Sequence, residues 1–316
     1  MHLVIHLPII SIGTLLYIAC LFIFLPQQNL YSFRTETEVL AGFDELIAPT
    51  PAPLPVNKTG INVPPLTSEG IFIIDIPSNM TLLEKNPDIQ FFPASTTKIM
   101  TALVALETYK LTDEVVINTV ITEGQTMKLV KGEVITIENL LYGTLVHSAN
   151  DAAYVLAQYY KGGIQAFLDR MNQKAQELHL TNTHFTNPIG FDDPNHFTTP
   201  RDLAHLAVTA LQNPTFVKMV GIAQITVADT TFTHFHALKN VNELLGKVPG
   251  VYGVKTGWTQ TAGQSLVSVI QRDNRKIATV VLKSNDRFGE TEMLINWVFN
   301  NFVWQDMNVS NPTQIQ

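Results

Sequence analysis

The chain has 316 residues, 46% of them hydrophobic, and 20 Lys+Arg against 27 Asp+Glu give it a formal charge of -7. That length suits one sizeable globular domain with extra segments, and the acidic balance excludes the basic footprint that neutralises phosphates, so no nucleic-acid partner is expected. The one cysteine, Cys20, excludes an internal disulfide framework and any multi-cysteine metal site.

Residues 1–33 stand apart. From Leu3 to Leu25 no side chain is charged, and at 1.5 Å per residue the stretch spans roughly 34 Å as a helix, enough for a bilayer core. The basic start, short apolar core and small-x-small site of a cleaved signal peptide are not clear here. The segment is expected to be an uncleaved signal-anchor, a single-pass N-terminal transmembrane helix with the rest of the chain on the extracytoplasmic side. Lipidation at Cys20, which follows "YIA", and a buried apolar hairpin are the alternatives. Residues 34–66 include "IAPTPAPLPVNKTGINVPP", rich in proline and poor in core formers, the composition of a semi-rigid spacer.

Residues 67–305 have the composition of a folded domain, followed by a tail at 306–316. "GIFIIDI" (Gly70–Ile76) reads as a buried strand ending at the turn "PSN", with "MTLLEKN" as its antiparallel partner. From Thr96 to about Lys110 the apolar residues keep close to helical spacing. Further helices are expected over Ile137–Leu145, from Asn150 onward, over Ile164–Leu180, and over Thr199–Gln212, where Thr199-Pro200 supply an N-cap and a first-turn proline. Two strands, "GQSLVSVIQ" and "RKIATVVLK", flank the turn "RDN". The closing "ETEMLINWVFNNFVW" reads as a helix packed on the sheet. Strand, helices, strands in that order predicts a mixed α/β fold, an antiparallel sheet flanked by helices with a helical insertion.

Three short motifs could carry chemistry. In "FFPASTTKIM", Ser95 and Lys98 are spaced i, i+3 on one helical face, within reach of each other and near unsatisfied backbone N–H groups. By itself the pair reads as a helix cap. "VHSANDAA" holds Ser148-Ala149-Asn150 at a loop-to-helix junction, and "VYGVKTGWTQTAGQSLV" holds Lys255-Thr256-Gly257. S-x-x-K, then S-x-N, then K-T-G is the signature set of serine penicillin-recognising enzymes.

With "NPIGFDDPNHFTTPRDLAHLA" between them, these motifs resemble the low-molecular-mass D-alanyl-D-alanine carboxypeptidases, serine peptidases of the β-lactamase/transpeptidase-like fold. The resemblance covers about Thr67 to Phe302. It implies hydrolysis of peptidoglycan stem peptides ending in D-Ala-D-Ala, with β-lactams as covalent inhibitors and no metal or cofactor. By the same resemblance Ser95 would be the acylated nucleophile and Lys98 its general base, aided by burial near Lys255. Ser148 would relay a proton to the leaving amine, and Asn150 would hold the substrate's peptide amide. Thr256 and Thr259 would bond the free carboxylate in the field of Lys255, and Arg287 either faces that carboxylate or caps a turn. The backbone N–H groups of Ser95 and Trp258 would form the oxyanion hole. Gly257 would leave room for an extended substrate on the strand. His147 is expected to be structural, and "DDPNH" (Asp192–His196) a turn rather than a metal loop.

Three alternatives share the motifs or the fold: a β-lactamase, a D,D-endopeptidase, and a non-catalytic penicillin-binding sensor. A class A β-lactamase would add a Glu-x-x-Leu-Asn loop, and the closest letters here are "ELHLTN" (Glu177–Asn182), in a predicted helix. Many relatives carry a second, β-rich domain and a C-terminal amphipathic anchor helix, which are not expected here, the N-terminal span serving as tether instead.

Overall fold

The computed structural model describes residues 51–306. The expected anchor at 1–33 and most of the tail at 306–316 therefore lie outside the described residues. In chain order the elements are β1 (Leu54–Asn57), β2 (Gly70–Asp75), β3 (Met80–Lys85), a 3-10 turn (Ala94–Thr97), α1 (Lys98–Thr108), β4 (Glu114–Val116) and β5 (Val134–Thr136). There follow α2 (Ile137–Leu145), α3 (Asn150–Gln158), α4 (Gly163–Glu177), α5 (Pro200–Ala210), α6 (Pro214–Val220), β6 (Gln224–Ala228) and β7 (Phe235–Lys239). The chain then runs through β8 (Val251–Thr259), β9 (Gly263–Arg272), β10 (Arg275–Ser284), α7 (Arg287–Asn301) and β11 (Phe302–Gln305).

The main sheet is antiparallel throughout, in the order β3-β2-β10-β9-β8. Because side chains alternate across a strand, one strand can serve two cores. In β2, which is buried along its whole length, Phe72 and Ile74 join Ile99, Leu103 and the helical side, while Ile71 and Ile73 join Leu294, Ile295 and Val298 of α7. A strand covered on both faces loses the apolar/polar alternation and reads as a continuous apolar run, as "GIFIID" does. For the same reason α1 is apolar nearly all round: it is buried from Lys98 to Ala105, between the sheet and the other helices. The turn between β9 and β10 comprises Asp273 and Asn274 with φ of 45° and 62°, the left-handed pair that a two-residue hairpin needs and that Asp and Asn tolerate.

The structure departs from the sequence reading at three places. The expected spacer contributes β1, which pairs antiparallel with β11, so the folded part reaches back to Leu54. The closing helix ends at Asn301, and "FVWQ" is strand, with Trp304 donating to Asp75 Oδ1 at 2.7 Å. Helical spacing of its aromatics cannot reveal a partner strand almost the whole domain away. Two hairpin ribbons, β4–β5 and β6–β7, also carry no local signal strong enough to separate them from loops.

A buried ion pair anchors the second ribbon. His236 Nδ1 donates to Met127 O (2.8 Å) and Nε2 lies 2.7 Å from Glu133 Oε1. Burial pushes the imidazole pKa down, but the Glu133 hydrogen bond and charge, with the Met127 carbonyl, outweigh it, and the pKa lies above the ordinary 6.5. A histidine raised on folding stabilises fully below its unfolded pKa and loses that contribution as pH rises through the folded value. Thermal melting should therefore show this contribution in full below pH 6.5 and its loss as pH rises above that ordinary value. His236→Gln should cost about 3 kcal/mol at acid pH, the order for breaking one partner of a buried pair, and should flatten the pH dependence.

Candidate active site

Ser95 is presented by a tight turn, not by a cap. The chain passes Ala94 with φ of 48°, a left-handed conformation that costs energy outside glycine, and turns through Ala94–Thr97 before α1 begins. Thr96 fastens the turn, its amide (3.2 Å) and hydroxyl (2.6 Å) both donating to Pro93 O. No side chain caps either the turn or α1, so the helix-cap reading of Ser95 is not realised. The helix starts at Lys98 rather than Thr96 for the same reason.

The hydroxyl of Ser95 faces the amine of Lys98 instead, at 3.0 Å. Lys98 is fully buried, and its Nζ also donates to Asn150 Oδ1 (2.7 Å) and Ile189 O (2.7 Å). Burial, reinforced by the charge of Lys255 and opposed by Asp151, pushes its pKa well below the ordinary lysine value of 10.5. The partner set then decides where the lone pair goes. Asn150 Oδ1 and Ile189 O can only accept, so they keep two N–H groups of the neutral amine, and the lone pair falls toward the Ser95 hydroxyl. Asn150 is fixed in this orientation because its Nδ2 donates to Glu123 O at 3.0 Å. That amide has a second N–H to offer a substrate, as the sequence reading requires.

Lys255 is the other buried lysine of the site. Its Nζ donates to Ser148 Oγ (2.8 Å) and Thr256 O (3.0 Å). Burial first, and then the charge of Arg287, lower its pKa to about 7. Ser148 has φ of 59°, a second left-handed non-glycine residue in the site. Side chains of Ser95, Ser148, Asn150, Thr256, Trp258 and Arg287 line one cleft of about 890 Å³. Its edge is β8, the outer strand of the sheet, which pairs with β9 alone and so has backbone groups to spare along its other side.

Three expectations gain a structural condition. Gly257 lines the cleft, and a Cβ there would also stand 3.0 Å from Pro93 O and 3.2 Å from Ser95 N. The missing side chain lets β8 close on the turn that carries Ser95. Thr259 lines the cleft, but its hydroxyl donates to Asp192 Oδ1 (2.8 Å) and accepts from Ala262 N (2.9 Å), so a carboxylate must displace Asp192 to use it. Arg287 is no surface turn cap: it starts α7, its Nη1 donates to Gly257 O at 2.8 Å, and it lines the cleft.

Sequence reasoning passed over several supporting residues. Asp151, fully buried next to Asn150, accepts from Met127 N (3.0 Å) and Leu129 N (3.1 Å), and its charge opposes the lowering of the Lys98 pKa. Its place directly after S-x-N is the one signal that could have flagged it. Asn187 Oδ1 accepts from the amides of Gly190 (2.7 Å) and Phe191 (2.9 Å), shaping the loop that presents Ile189 O to Lys98. His147 meets Gln125 Nε2 and Lys239 O rather than Ser148. His196 accepts from Thr186 N through Nδ1 and bonds Thr97 Oγ1 through Nε2, with burial lowering its pKa to about 4. It buttresses the turn as a neutral ring. Among the described residues no group of three or more His, Cys, Asp or Glu is placed to hold a metal ion.

With this geometry established, comparison with known proteins is informative. Residues 57–286 match the family described as D-alanyl-D-alanine carboxypeptidase. A D-alanyl-D-alanine carboxypeptidase of Bacillus subtilis is 30% identical over 251 residues, covering 76% of this chain and 64% of that protein. A D-alanyl-D-alanine endopeptidase of Pseudomonas aeruginosa is 34% identical over 231 residues, covering 71% of this chain and 73% of its own. The crystal structure of the Streptomyces K15 DD-transpeptidase superposes with a TM-score of 0.71 at 31% identity, covering 76% of this chain and all of the other. The matched region is 64% of the length of the Bacillus subtilis relative and of one from Haemophilus influenzae.

The contact at Gly257 yields a sharp test. Gly257→Ala should push β8 off the Ser95 turn and slow acylation of Ser95 by a serine-directed acylating probe at least about tenfold, as misplacement of a reacting group by a fraction of an ångström does. The melting temperature should fall by only a few degrees, because the clash is at the strand's edge. Unchanged acylation kinetics would contradict the close approach.

Proposed function

Because the chain belongs to the D-alanyl-D-alanine carboxypeptidase family, we propose that it is a serine D,D-carboxypeptidase that removes the terminal D-alanine of peptidoglycan stem peptides through a Ser95 acyl-enzyme. The observation that carries this reading is the Lys98 amine, buried, discharged by its surroundings and aimed by two carbonyl acceptors at the Ser95 hydroxyl.

In this reading Lys98 takes the proton of Ser95 as Oγ attacks the penultimate D-alanyl carbonyl, and the Ser95 and Trp258 amides receive the developing oxyanion. Ser148, bonded to Lys255, passes a proton to the leaving amine. Thr256, Arg287 and Lys255 hold the terminal carboxylate, and Thr259 joins them once Asp192 gives way. Water then hydrolyses the ester. β-Lactams, which present a strained amide with a carboxylate on the leaving side, would acylate the same serine. Glu177, the nearest match to a deacylating glutamate in sequence, ends α4 and is bound to Arg170 (2.9 Å) on the surface. No carboxylate is thus assigned to activate water against a β-lactam adduct, which favours the carboxypeptidase over the β-lactamase reading. The domain would work on the extracytoplasmic side, held by the uncharged stretch Leu3–Leu25 and spaced by the proline-rich segment, a proposal that rests on the sequence alone.

Mass spectrometry after exposure to a penicillin should show one covalent adduct persisting for many minutes, absent in Ser95→Ala. Lys98→Ala should lower the acylation rate by about 100-fold or more, the range for removing a general base. A D-Ala-D-Ala peptide should release D-alanine. An adduct that survives Ser95→Ala would overturn the assignment, and rapid antibiotic turnover would favour the β-lactamase.

A further inference from the structure

The catalytic cleft is charged unevenly. Among the residues that line it, Arg287 is the only cation, and Glu123 and Asp192 are the only anions. Both carboxylates are exposed, and neither joins an ion pair among the described residues. They enter the cleft from different elements. Asp192 is tied through Oδ1 to the Thr259 hydroxyl at the end of β8, which leaves its second oxygen unused by that bond. Glu123 begins a turn that leans on Asn150: its carbonyl accepts from Asn150 Nδ2 (3.0 Å), and Gln125 O accepts from Asn150 N (2.7 Å). Between them, a Cβ on Gly124 would stand 2.6 Å from Asn150 Nδ2, so the turn approaches as closely as a backbone can. Trp258, directly before Thr259, also lines the cleft and is 63% exposed.

These groups flank the acyl half of a bound stem peptide. Asn150, in the reading above, holds the amide that joins the penultimate D-alanine to the residue before it. The side chain of that preceding residue therefore leaves the cleft between the Asn150 turn and the end of β8, where Glu123, Asp192 and the Trp258 ring stand. Two carboxylates attract a cation, and an exposed indole face attracts one through its quadrupole. We propose that these three side chains form a specificity subsite for an ammonium group. The favoured substrate is then a stem peptide in which the residue before the two D-alanines is a diamino acid with its side-chain amine free. This deepens the carboxypeptidase reading and rests on it. The cleft is complementary to such a stem at both ends, with Arg287 for its terminal carboxylate and the acidic pair for its amine. Acylation of that amine removes the charge, so stems already joined through it are trimmed more slowly than free ones. The reaction at Ser95 is unchanged, and the subsite acts through binding, on KM rather than kcat.

The test compares two peptides, Nα-acetyl-lysyl-D-Ala-D-Ala with its side-chain amine free and the same peptide with that amine acetylated. Full-length enzyme is used, its active fraction counted by penicillin labelling. The quantity read is the ratio of kcat/KM for the free over the acetylated peptide. In the wild type the ratio should be about tenfold, the order that two exposed ion pairs and one cation–π contact supply together, and it should fall as salt is added. The double variant Glu123→Gln/Asp192→Asn should bring the ratio to within about twofold of unity, with the change carried by KM. Both replacements are near-isosteric and exposed, and the new amide oxygen at 192 can still accept from Thr259. A wild-type ratio near unity, or one that the double variant and salt leave unmoved, overturns the ammonium subsite. Cleavage of neither peptide, or no penicillin adduct on Ser95, overturns the underlying carboxypeptidase reading instead.

Discussion

An ammonium group with no water around it is the constraint from which the rest of this structure follows. Lys98 is fully buried, and its charged form loses hydration that no carboxylate directly repays. Burial and the charge of Lys255 both push the amine toward its neutral form, against the opposing charge of Asp151. A lysine in a hydrated or salt-bridged position would stay protonated and could not accept a proton from serine near neutrality. In the proposed reading, the two carbonyl acceptors at Asn150 and Ile189 aim the lone pair of the neutral amine at Ser95.

Holding that arrangement requires elements from all over the sequence. The turn at Ala94–Thr97 supplies Ser95, the Asn187-shaped loop supplies Ile189 O, α3 supplies Asn150, and β8 closes from the far side through Gly257. Two residues, Ala94 and Ser148, are held in left-handed backbone conformations, and such conformations persist only where surrounding packing over-determines them. The packing here is α1, buried along most of its length, pressed between the sheet and the surrounding helices. The apolar core is thus the reservoir from which the site's strained turns and buried lysines are sustained.

Much of this was legible in the sequence. The apolar run of β2, the N-cap and proline of α5, and the Asp-Asn hairpin turn each follow from local chemistry and stand where the residues point. The three motifs also meet in one cleft, since spacing along a helix and a strand fixes which side chains share a face. What escaped was non-local. The partner of β1 lies at the other end of the domain, the reason for Gly257 is a contact with Pro93 and Ser95 far upstream, and the Asp192–Thr259 bond joins two loops across the cleft. Asp151 was visible as a residue but not as a charge beside Lys98, because burial cannot be read from a single carboxylate.

The central claim is that Lys98 acts as a neutral base because its surroundings lower its pKa. The most direct measurement is the pH dependence of the second-order rate constant for acylation of Ser95 by a β-lactam. The rate should rise with pH as a single proton leaves the enzyme, with a midpoint well below the ordinary lysine value of 10.5, since the base form is populated above the lowered pKa. An acylation rate that climbs only near that ordinary value would contradict the account, and so would one with no ionisation on its acid side.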